Sequence, residues 1–508
     1  MKRILPLILA IVILVATFAA CMPSNDGNGD SSKDPTYTPS PGGDDKLPDD
    51  EIEEVIGNLD PSINLGGNEI NIISRGHANF KDEITVESSD GDPIQDSIFQ
   101  RRLDVERILN CEIVDWPVNE ATDGDYTVCK TLENALKGKD CPYDIMSASA
   151  YTAFGNTVKG LCHDLLSVEN IDLTQKYWAT HFNAEASIGN AQYFATGAIS
   201  LSLRRFIWVT FFNKTLAESY GLEDLYQVVE DGRWTIDYQA QLVATMYDDT
   251  DSVSGATEGD MFGLVANPHI CTDPYWASCE IQILSKDPET NFFKIAPPVE
   301  TIDDLLAKVN NLYYKTGGTY VVTPQSGDTD QEIIRQKFTG GTSTMATLRL
   351  LEVEAEDFRN MSDPYGILPI PRYSETQDAY YSHAHDQFIV YGIVSSVPST
   401  KIDDMGAFLE CMAIEGYKTV TPAYYEVALK GKYSKDEESW KMLDDIVNNL
   451  KINGGLLYTM ELSDILQTMR NLIKNKETTC VTKFSGRSLQ MLEKMLNDFQ
   501  AEIEGIQQ

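Results

Sequence analysis

The residues best suited to binding chemistry lie in the segment 267–279, with the sequence NPHICTDPYWASC. It places Tyr275 and Trp276 side by side, shortly after Asp273, in a polar stretch rich in turn-forming residues. The flat face of a phenol or indole ring suits the apolar face of a pyranose, and a carboxylate accepts hydrogen bonds from sugar hydroxyls. These side chains are chemically suited to a sugar, while one ring in a core and the other on the surface is the open alternative.

Two further groups have side chains that can ligate metal ions. His383 and His385 stand next to Asp386 but have no third partner at metal-ligand spacing. Together with Tyr381, these histidines are therefore predicted to line a cleft or to face solvent. The acidic loop 247–260 lacks the glycine that an EF-hand needs at its sixth position, so a solvated loop is favoured and a calcium site is the alternative.

Cysteine spacing and motif searches argue against catalysis. The nine cysteines form no CxxC pair and no Cys/His cluster, and Cys271 and Cys279 are the closest pair for a disulfide. In a chain of this size, buried free thiols are the favoured interpretation. There is also no G-x-S-x-G, no H-E-x-x-H and no phosphate-binding loop. We therefore predict no enzyme, no catalytic residue, no metal and no cofactor.

The composition limits the class of partner. A chain of 508 residues is long enough for two or more domains with sizeable cores. It carries 78 acidic against 40 basic residues, a formal net charge of -38. Such a surface repels phosphate backbones, so nucleic-acid binding is excluded, and neutral or cationic ligands suit it better than anionic ones unless a local site differs.

The first residues have the features of an export signal. Residues 1–20 combine a positive start with an apolar run of signal-peptide length. Small residues precede Cys21 as in a bacterial lipobox, although Phe18 replaces the usual leucine. Lipidation of Cys21 is favoured over ordinary cleavage or an uncleaved anchor, and two acyl chains would anchor the protein stably. Residues 21–64 are rich in Ser, Asn, Gly, Asp and Pro and predict a disordered linker.

The elements that must position the candidate residues follow an α/β pattern. The apolar run 206–212 predicts a strand buried on both faces. Asn213 can cap a helix over 214–220 that Gly221 ends, and Thr235 can cap the next helix.

The N-terminal part alternates in the same way. Strands are predicted over 68–74, 111–116 and 143–147, with helices over 96–110 and 126–136 between them. In such a β-α-β-α-β lobe, ligands lie beyond the carboxyl ends of the strands.

These segments carry a resemblance to a known family. The order Tyr193, Gly197, Phe212-Asn213-Lys214, Leu216, Gly221-Leu222, Gly232 and Trp234-Thr235 resembles the central segment of extracellular solute-binding proteins of ABC importers. The similarity is to the sugar-binding, maltose-binding-protein-like cluster, and the segments 338–347 and 365–371 also match. The matching residues themselves are expected to cap helices and to fill the core.

The resemblance implies an α/β, two-lobed periplasmic-binding-protein-like fold of type II, with a ligand cleft between the lobes and a helical C-terminal region. The N-terminal lobe is expected over 65–193 plus 343–399, and the C-terminal lobe over 194–342 plus 400–508. The ligand-binding residues predicted from the resemblance and the residue patterns are Arg75, Ser147, Tyr151, Asp273, Tyr275, Trp276, Arg349, Tyr381, His383 and Tyr458. For Arg349, a structural role is an equally good interpretation.

The implied function is that of a substrate-capturing lipoprotein of an ABC transporter. It is expected to bind a mono- or oligosaccharide between the lobes and to deliver it to permease subunits, as a monomer tethered to the extracytoplasmic face of the cell membrane. Two alternatives stay open. One is a surface-anchored glycoside hydrolase, which needs two carboxylates across a cleft. The other is a binding protein for a non-sugar solute such as a peptide.

Overall fold

Two β-sheets, each with helices packed against it, organise the computed structural model of this protein. The structure describes residues 59–80, 82–118, 127–323, 329–425, 429 and 436–507. The predicted signal peptide 1–20, Cys21 and most of the predicted linker 21–64 lie outside the described residues. Among the described helices, none has the length and apolar character needed to span a membrane.

The first sheet has the strand order β11-β3-β1-β2. Its strands are β1 (Asn68–Arg75), β2 (Cys111–Val118), β3 (Ile145–Ser149) and β11 (Ile389–Ile393). β1 runs parallel to both β2 and β3, whereas β11 is antiparallel to β3. The helices Pro93–Leu109 and Thr127–Gly138 connect the parallel strands, as parallel pairing requires. The predicted β-α-β-α-β lobe is therefore confirmed.

The second sheet has the strand order β10-β4-β9-β5-β8. Its strands are β4 (Trp208–Asn213), β5 (Phe262–Ala266), β8 (Thr319–Val321), β9 (Ser343–Arg349) and β10 (Tyr365–Leu368), while β6 (Leu284–Lys286) and β7 (Phe293–Ile295) form a separate hairpin. Every residue of β4 is buried, as its apolar sequence predicts. The predicted caps are also present: Asn213 accepts a hydrogen bond from the backbone of Leu216, and Thr235 accepts one from Tyr238.

Strand pairing corrects the predicted boundary between the lobes. The prediction placed 343–399 in the N-terminal lobe, but β9 pairs with β4 and β5, and β10 pairs with β4, all in the second sheet. Only β11 joins the first sheet. The reason is that a fully buried strand has the same apolar sequence in either sheet, so its pairing depends on distant partners.

The chain crosses between the sheets along two neighbouring segments. Before β4, the backbone of Phe206 accepts a hydrogen bond from His385, at 2.9 Å. The backbone N–H of Trp208 donates in turn to His383, also at 2.9 Å. Residues 206–208 and 383–385 thus run side by side, and we call them the crossing segments.

The C-terminal region is helical, as predicted, but it serves both sheets. The helix Ile402–Glu415 packs against Pro93–Leu109 and β11 of the first sheet, although the prediction placed 400–508 in the second lobe. The helix Glu437–Asn448 packs against β10 of the second sheet. The eight cysteines in the described residues carry free thiols. The remaining α-helices are Ala150–Phe154, Thr180–Ala186, Leu201–Arg205, Lys214–Ser219, Leu225–Glu230, Ile236–Val243, Asp273–Ser278, Val299–Asn310, Thr329–Thr339, Glu356–Arg359, Gly454–Leu457, Ile465–Lys474, Val481–Phe484 and Gly486–Gln507.

Candidate functional site

A cavity of about 350 Å³, which we call the cleft cavity, lies where strands of both sheets end. Arg75 is the last residue of β1, Arg349 is the last residue of β9, and His269 follows β5; all three line the cavity. Phe206 and His385 from the two crossing segments complete its wall. The carboxyl ends of strands in α/β sheets are the usual place for a ligand, so the topology makes this cavity the candidate site.

Arg75 is held in place by neutral groups on the far side of the cavity. Its side chain is 3% exposed, and Nη1 donates to the backbone oxygen of Gln387 at 3.2 Å and to the side-chain oxygen Oε1 at 3.0 Å. The guanidinium carbon lies 4.0 Å from the centre of the Phe80 ring. A guanidinium fixed in this way presents its N–H groups in a defined direction.

Aromatic rings and guanidinium groups form a continuous stack beside the cavity. The rings of Phe80 and Phe206 lie 5.3 Å apart with an angle of 9° between their planes. Arg349 covers the other end, with its guanidinium carbon 5.0 Å from the Phe206 ring centre. The His385 ring lies 6.0 Å from Phe206, tilted by 28°. Both sheets therefore contribute cations to one apolar surface, an arrangement that cation–π attraction stabilises.

Arg470 connects the cavity to the protein interior. Its Nε donates to Asp273 at 2.8 Å and its Nη2 to Asp386 at 3.2 Å. Burial lowers the pKa of Arg470, but the carboxylates of Asp273 and Asp386 raise it to a net value above the ordinary range. For Asp386, burial alone would raise the pKa. The nearby His385 and Arg470 nevertheless hold the pKa of Asp386 below its ordinary value. Asp386 is therefore an ionised hydrogen-bond acceptor at neutral pH.

Neutral hydrogen-bonding groups complete the wall. Burial and the charge of Arg470 lower the pKa of His269, so its imidazole is uncharged at neutral pH. Its Nε2 lies 3.0 Å from the side-chain oxygen of Gln467. On the side of the first sheet, the Tyr151 hydroxyl donates to Asp464 at 2.9 Å. The cavity thus combines hydrogen-bond donors, acceptors and aromatic rings.

A second cavity of about 460 Å³ adjoins the first. Asn79 and Arg349 line both of them. In the second cavity, Arg335 donates to Glu352 and to Asp357, at 2.8 Å in each case. The two cavities therefore share a part of their walls at Asn79 and Arg349.

Comparison with known proteins identifies the fold. No family model matches this chain, and no curated protein matches it. Solved structures do match over most of its length. One is the galacto-N-biose/lacto-N-biose I-binding protein of an ABC transporter from Bifidobacterium longum, in complex with lacto-N-biose. It has a TM-score of 0.51 and 10% identity, and the match covers 87% of this chain and 98% of that chain.

Two further structures agree. An ABC transporter solute-binding protein from Thermotoga lettingae, bound with α-D-tagatose, has a TM-score of 0.51 and 13% identity, with 85% of this chain and 100% of that chain covered. A family 1 extracellular solute-binding protein from Bifidobacterium longum subsp. infantis has a TM-score of 0.50 and 13% identity, with the same coverage. This chain has the solute-binding-protein fold. The predicted two-lobed α/β fold is thereby confirmed.

Within this fold, three of the predicted ligand-binding residues border the cleft cavity. Arg75 and Arg349 do so at strand ends, and Tyr151 does so from the helix Ala150–Phe154 directly after β3. That helix begins at Ser149, whose side chain accepts a hydrogen bond from the backbone of Thr152. The strand-end positions predicted from the sequence are therefore brought together.

Tyr275 and Trp276 occupy a different environment from the predicted one. Both lie in the helix Asp273–Ser278, and both are 0% exposed. The Tyr275 ring packs against Tyr313 at 6.3 Å, and neither ring borders either cavity as the described residues form them. The rings are inaccessible although their neighbours in the sequence are polar, because every residue of this helix is buried. Asp273 is also enclosed and approaches the cavity only through Arg470.

The remaining predicted residues are also separate from the cavity. Tyr458 is 1% exposed and donates to the backbone of Ala186, within an aromatic cluster. Ser147 is a buried residue of β3 that pairs in register with β11. Tyr381 donates to Asp378 at 3.0 Å, under the ammonium of Lys451, while burial lowers the pKa of His383 to about 4. Their contact with a ligand stays a prediction without support from this geometry.

The carboxylate of Asp260 stabilises the acidic loop 247–260 through hydrogen bonds within the loop. One oxygen from each of Asp249, Asp251 and Asp260 lies within 4.8 Å of the others. Asp260 accepts hydrogen bonds from the backbone of Thr250 and Thr257, at 3.1 and 2.8 Å. These bonds hold the turn together, and we assign no metal to it.

Several residues that line the cleft cavity were not among the ligand-binding residues predicted from the sequence. Phe80, Phe206, His269 and Arg470 come from four separate parts of the chain. For Phe80 a signal was present, since it follows the predicted strand 68–74 by a few residues, and His269 lies within the segment 267–279 that was predicted to bind a ligand. Phe206 was predicted only as the first residue of a buried strand, and no local pattern marks Arg470.

Proposed function

We propose that this protein captures a carbohydrate in the cleft cavity and delivers it unchanged to an ABC permease. The observation that carries the proposal is the stacked pair Phe80 and Phe206 beside fixed charged groups at the strand ends of both sheets. A sugar ring has an apolar C–H face and a rim of hydroxyl groups. A wall that combines apolar aromatic rings with fixed donors and acceptors matches both features.

The lining residues suggest a role for each group. Arg75 and Arg349 donate to hydroxyl oxygens, and the ionised Asp386 accepts from hydroxyl groups. Tyr151 and the neutral His269 add hydrogen bonds from either side. Because the second cavity adjoins the first at Asn79 and Arg349, we favour an oligosaccharide over a monosaccharide.

The transport role is supported by the fold that the chain shares with ABC transporter solute-binding proteins, together with the resemblance of the segment 190–237. In our proposal the two lobes close around the ligand by bending at the crossing segments, whose paired backbones join the sheets. Closure then presents the loaded protein to the permease.

The charge state of Asp386, one of the two aspartates among the described residues that line the cleft cavity, favours binding over hydrolysis. A glycoside hydrolase needs one carboxylic acid that stays protonated to donate to the leaving group. Asp386 is instead held ionised by His385 and Arg470. In the second cavity, Glu352 pairs with Arg335 and Glu354 pairs with Arg205. We therefore propose a receptor without catalytic activity.

For its location, we propose that Cys21 carries lipid and that 21–64 tethers a monomeric receptor to the extracytoplasmic face of the membrane. Replacing the cysteine removes the attachment point, so Cys21→Ser is expected to release the protein into the medium. Fractionation of cells that express both forms checks this. Retention of the variant in the membrane fraction would contradict the lipid anchor.

A thermal-shift screen tests the function directly. Mono- and oligosaccharides, peptides and polyamines are added separately to the purified protein, and the mixtures are then analysed for products. We expect an oligosaccharide to raise the melting temperature without product formation, because binding to the native state alone stabilises it. A shift with peptides and not with sugars would contradict the ligand class, and turnover of a glycoside would favour the hydrolase.

A further inference from the structure

A third cavity of about 350 Å³ lies beside the crossing segments, and we call it the rear groove. Its walls include Trp178, Phe182, Leu203, Arg204, Ile207 and Ile452. Phe206 borders the cleft cavity, whereas the next residue, Ile207, borders the rear groove. Neighbouring residues of one crossing segment therefore border different cavities.

The charge of the rear groove is opposite to that of the whole protein. The chain has 78 acidic and 40 basic residues. Among the described residues that line the groove, Lys176 and Arg204 are cationic and His181 is titratable, while none is an aspartate or glutamate. The groove is therefore a locally positive, partly apolar site on an acidic molecule.

Arg204 is the distinctive group in this groove, as comparison with its neighbour shows. Arg205 makes two hydrogen bonds to the carboxylate of Glu354, both at 2.9 Å. Arg204 instead donates one long hydrogen bond, from Nη1 to the backbone oxygen of Gly197 at 3.5 Å, and interacts electrostatically with Tyr417, Tyr424 and Tyr425. Burial lowers the pKa of Arg204 to about 10, so the group is charged at neutral pH.

The buried carboxylate of Glu410, which contacts two aromatic residues of the groove wall, is already engaged. Glu410 accepts hydrogen bonds from the hydroxyl of Tyr177 and, at 2.9 Å, from the indole nitrogen of Trp178. The backbone of Asp172 donates to it as well, at 3.2 Å. These donors satisfy Glu410 and fix the two rings as a wall of the groove.

We propose that the rear groove binds a small organic carboxylate with an aromatic or branched aliphatic body. A carboxylate matches the fork of guanidinium N–H groups and supplies the charged partner that Arg204 lacks in the described residues. Trp178, Phe182 and Ile207 are each at most 2% exposed and form an apolar surface for the rest of the ligand. A cavity of about 350 Å³ is at the small end of ligand sites.

Isothermal titration with phenylacetate and with isovalerate tests the proposal, and phenylacetamide serves as the uncharged counterpart. We expect at least one carboxylate to bind the full-length protein, phenylacetamide to bind about tenfold more weakly than phenylacetate, and Arg204→Gln to weaken the carboxylate about tenfold. Arg204→Lys, which keeps the charge but loses the fork, is expected to have intermediate affinity.

Arg233→Gln is the matched control, because Arg233 forms an exposed pair with Glu223 away from the groove. This variant is expected to bind the carboxylate as the natural protein does. The thermal unfolding curve of each variant confirms that it is folded. Failure of both carboxylates to bind at about 10 mM, equal binding of phenylacetamide and phenylacetate, or unchanged affinity in folded Arg204→Gln would each overturn the proposal.

Discussion

Two regions of the molecule combine aromatic rings with charged groups near a strand end. Among the described residues, the rings of one region border the cleft cavity, and the rings of the other border neither it nor the adjoining cavity. In the helix Asp273–Ser278, Tyr275 and Trp276 are fully enclosed. Beside the cleft cavity, Phe80 and Phe206 are also almost fully covered, but they border a space that arginines and histidines share.

The difference shows that composition alone does not distinguish a binding surface from a core. In both regions the rings follow a strand by a few residues or precede one. What separates them is the topology, because the crossing segments bring Phe206 to the point where strands of both sheets end. Arg470 joins the two regions, since it contacts Asp273 in the first and Asp386 in the second.

The largest effect is expected from Arg470→Met. The change leaves the carboxylates of Asp273 and Asp386 buried without their cation, so the free energy of unfolding should fall by about 5 kcal/mol. Urea denaturation measures it. The control Arg233→Met removes an exposed pair with Glu223 and should cost less than about 1 kcal/mol. Equal losses of unfolding free energy in the two variants would contradict the role of Arg470 as the buried cation that Asp273 and Asp386 share.

Trp276→Ala is expected to lower the free energy of unfolding by about 4 kcal/mol, because it empties a fully buried site. The carbohydrate affinity of the folded protein should be unchanged, since the ring does not border the cleft cavity. Titration under conditions where the variant is fully folded checks this. A loss of affinity of about tenfold or more would place the ring in the binding site after all.

His383 and His385 allow the comparison within one segment, since the second lines the cavity and the first does not. Burial lowers the pKa of His383 to about 4. The unfolded state therefore binds a proton more readily than the folded state as the pH falls below the ordinary histidine value. The contribution of His383 to the free energy of unfolding is fully present above about pH 6.5. Protonation of this residue in the unfolded state should lower the free energy of unfolding by about 3 kcal/mol by pH 4.

Urea denaturation between pH 7.5 and pH 4 tests this titration. His383→Gln does not titrate, so its acid-dependent loss should be smaller than that of the natural protein by the same amount. Parallel pH profiles for the two proteins would show that His383 is accessible to protons in the folded state.

Tyr151→Phe should have the smallest effect on stability. It removes a hydrogen bond from the hydroxyl to Asp464 and should cost about 1 kcal/mol in the free energy of unfolding. Because Tyr151 borders the cleft cavity, carbohydrate affinity should fall as well. If stability falls and affinity does not, the hydroxyl serves only the fold.

The sequence predicted the local parts of this architecture well. Asn213 and Thr235 cap their helices because a cap depends on residues within three positions. β4 is buried throughout because its composition requires it. The position of β9 was not predictable in this way, since its partners β4 and β5 are distant in the sequence.

The residues of the candidate site also divide into those that the local sequence predicted and those that it did not. Arg75 and Tyr151 were found because they follow strands of the first lobe, where the end of a strand and the position of a ligand coincide. Phe206 and Arg470 reach the cavity through a crossing segment and a C-terminal helix, and no sequence pattern specifies that approach.

The most direct test is a calorimetric titration of the oligosaccharide that gives the largest thermal shift, with Asn79→Ala and Asn170→Ala compared against the natural protein. Asn79 borders both cavities of the cleft, whereas Asn170 is equally half-buried but contacts Asp403 elsewhere. We predict that Asn79→Ala weakens binding about tenfold and that Asn170→Ala leaves it unchanged. Equal affinities in all three proteins would contradict carbohydrate binding in the cleft cavity.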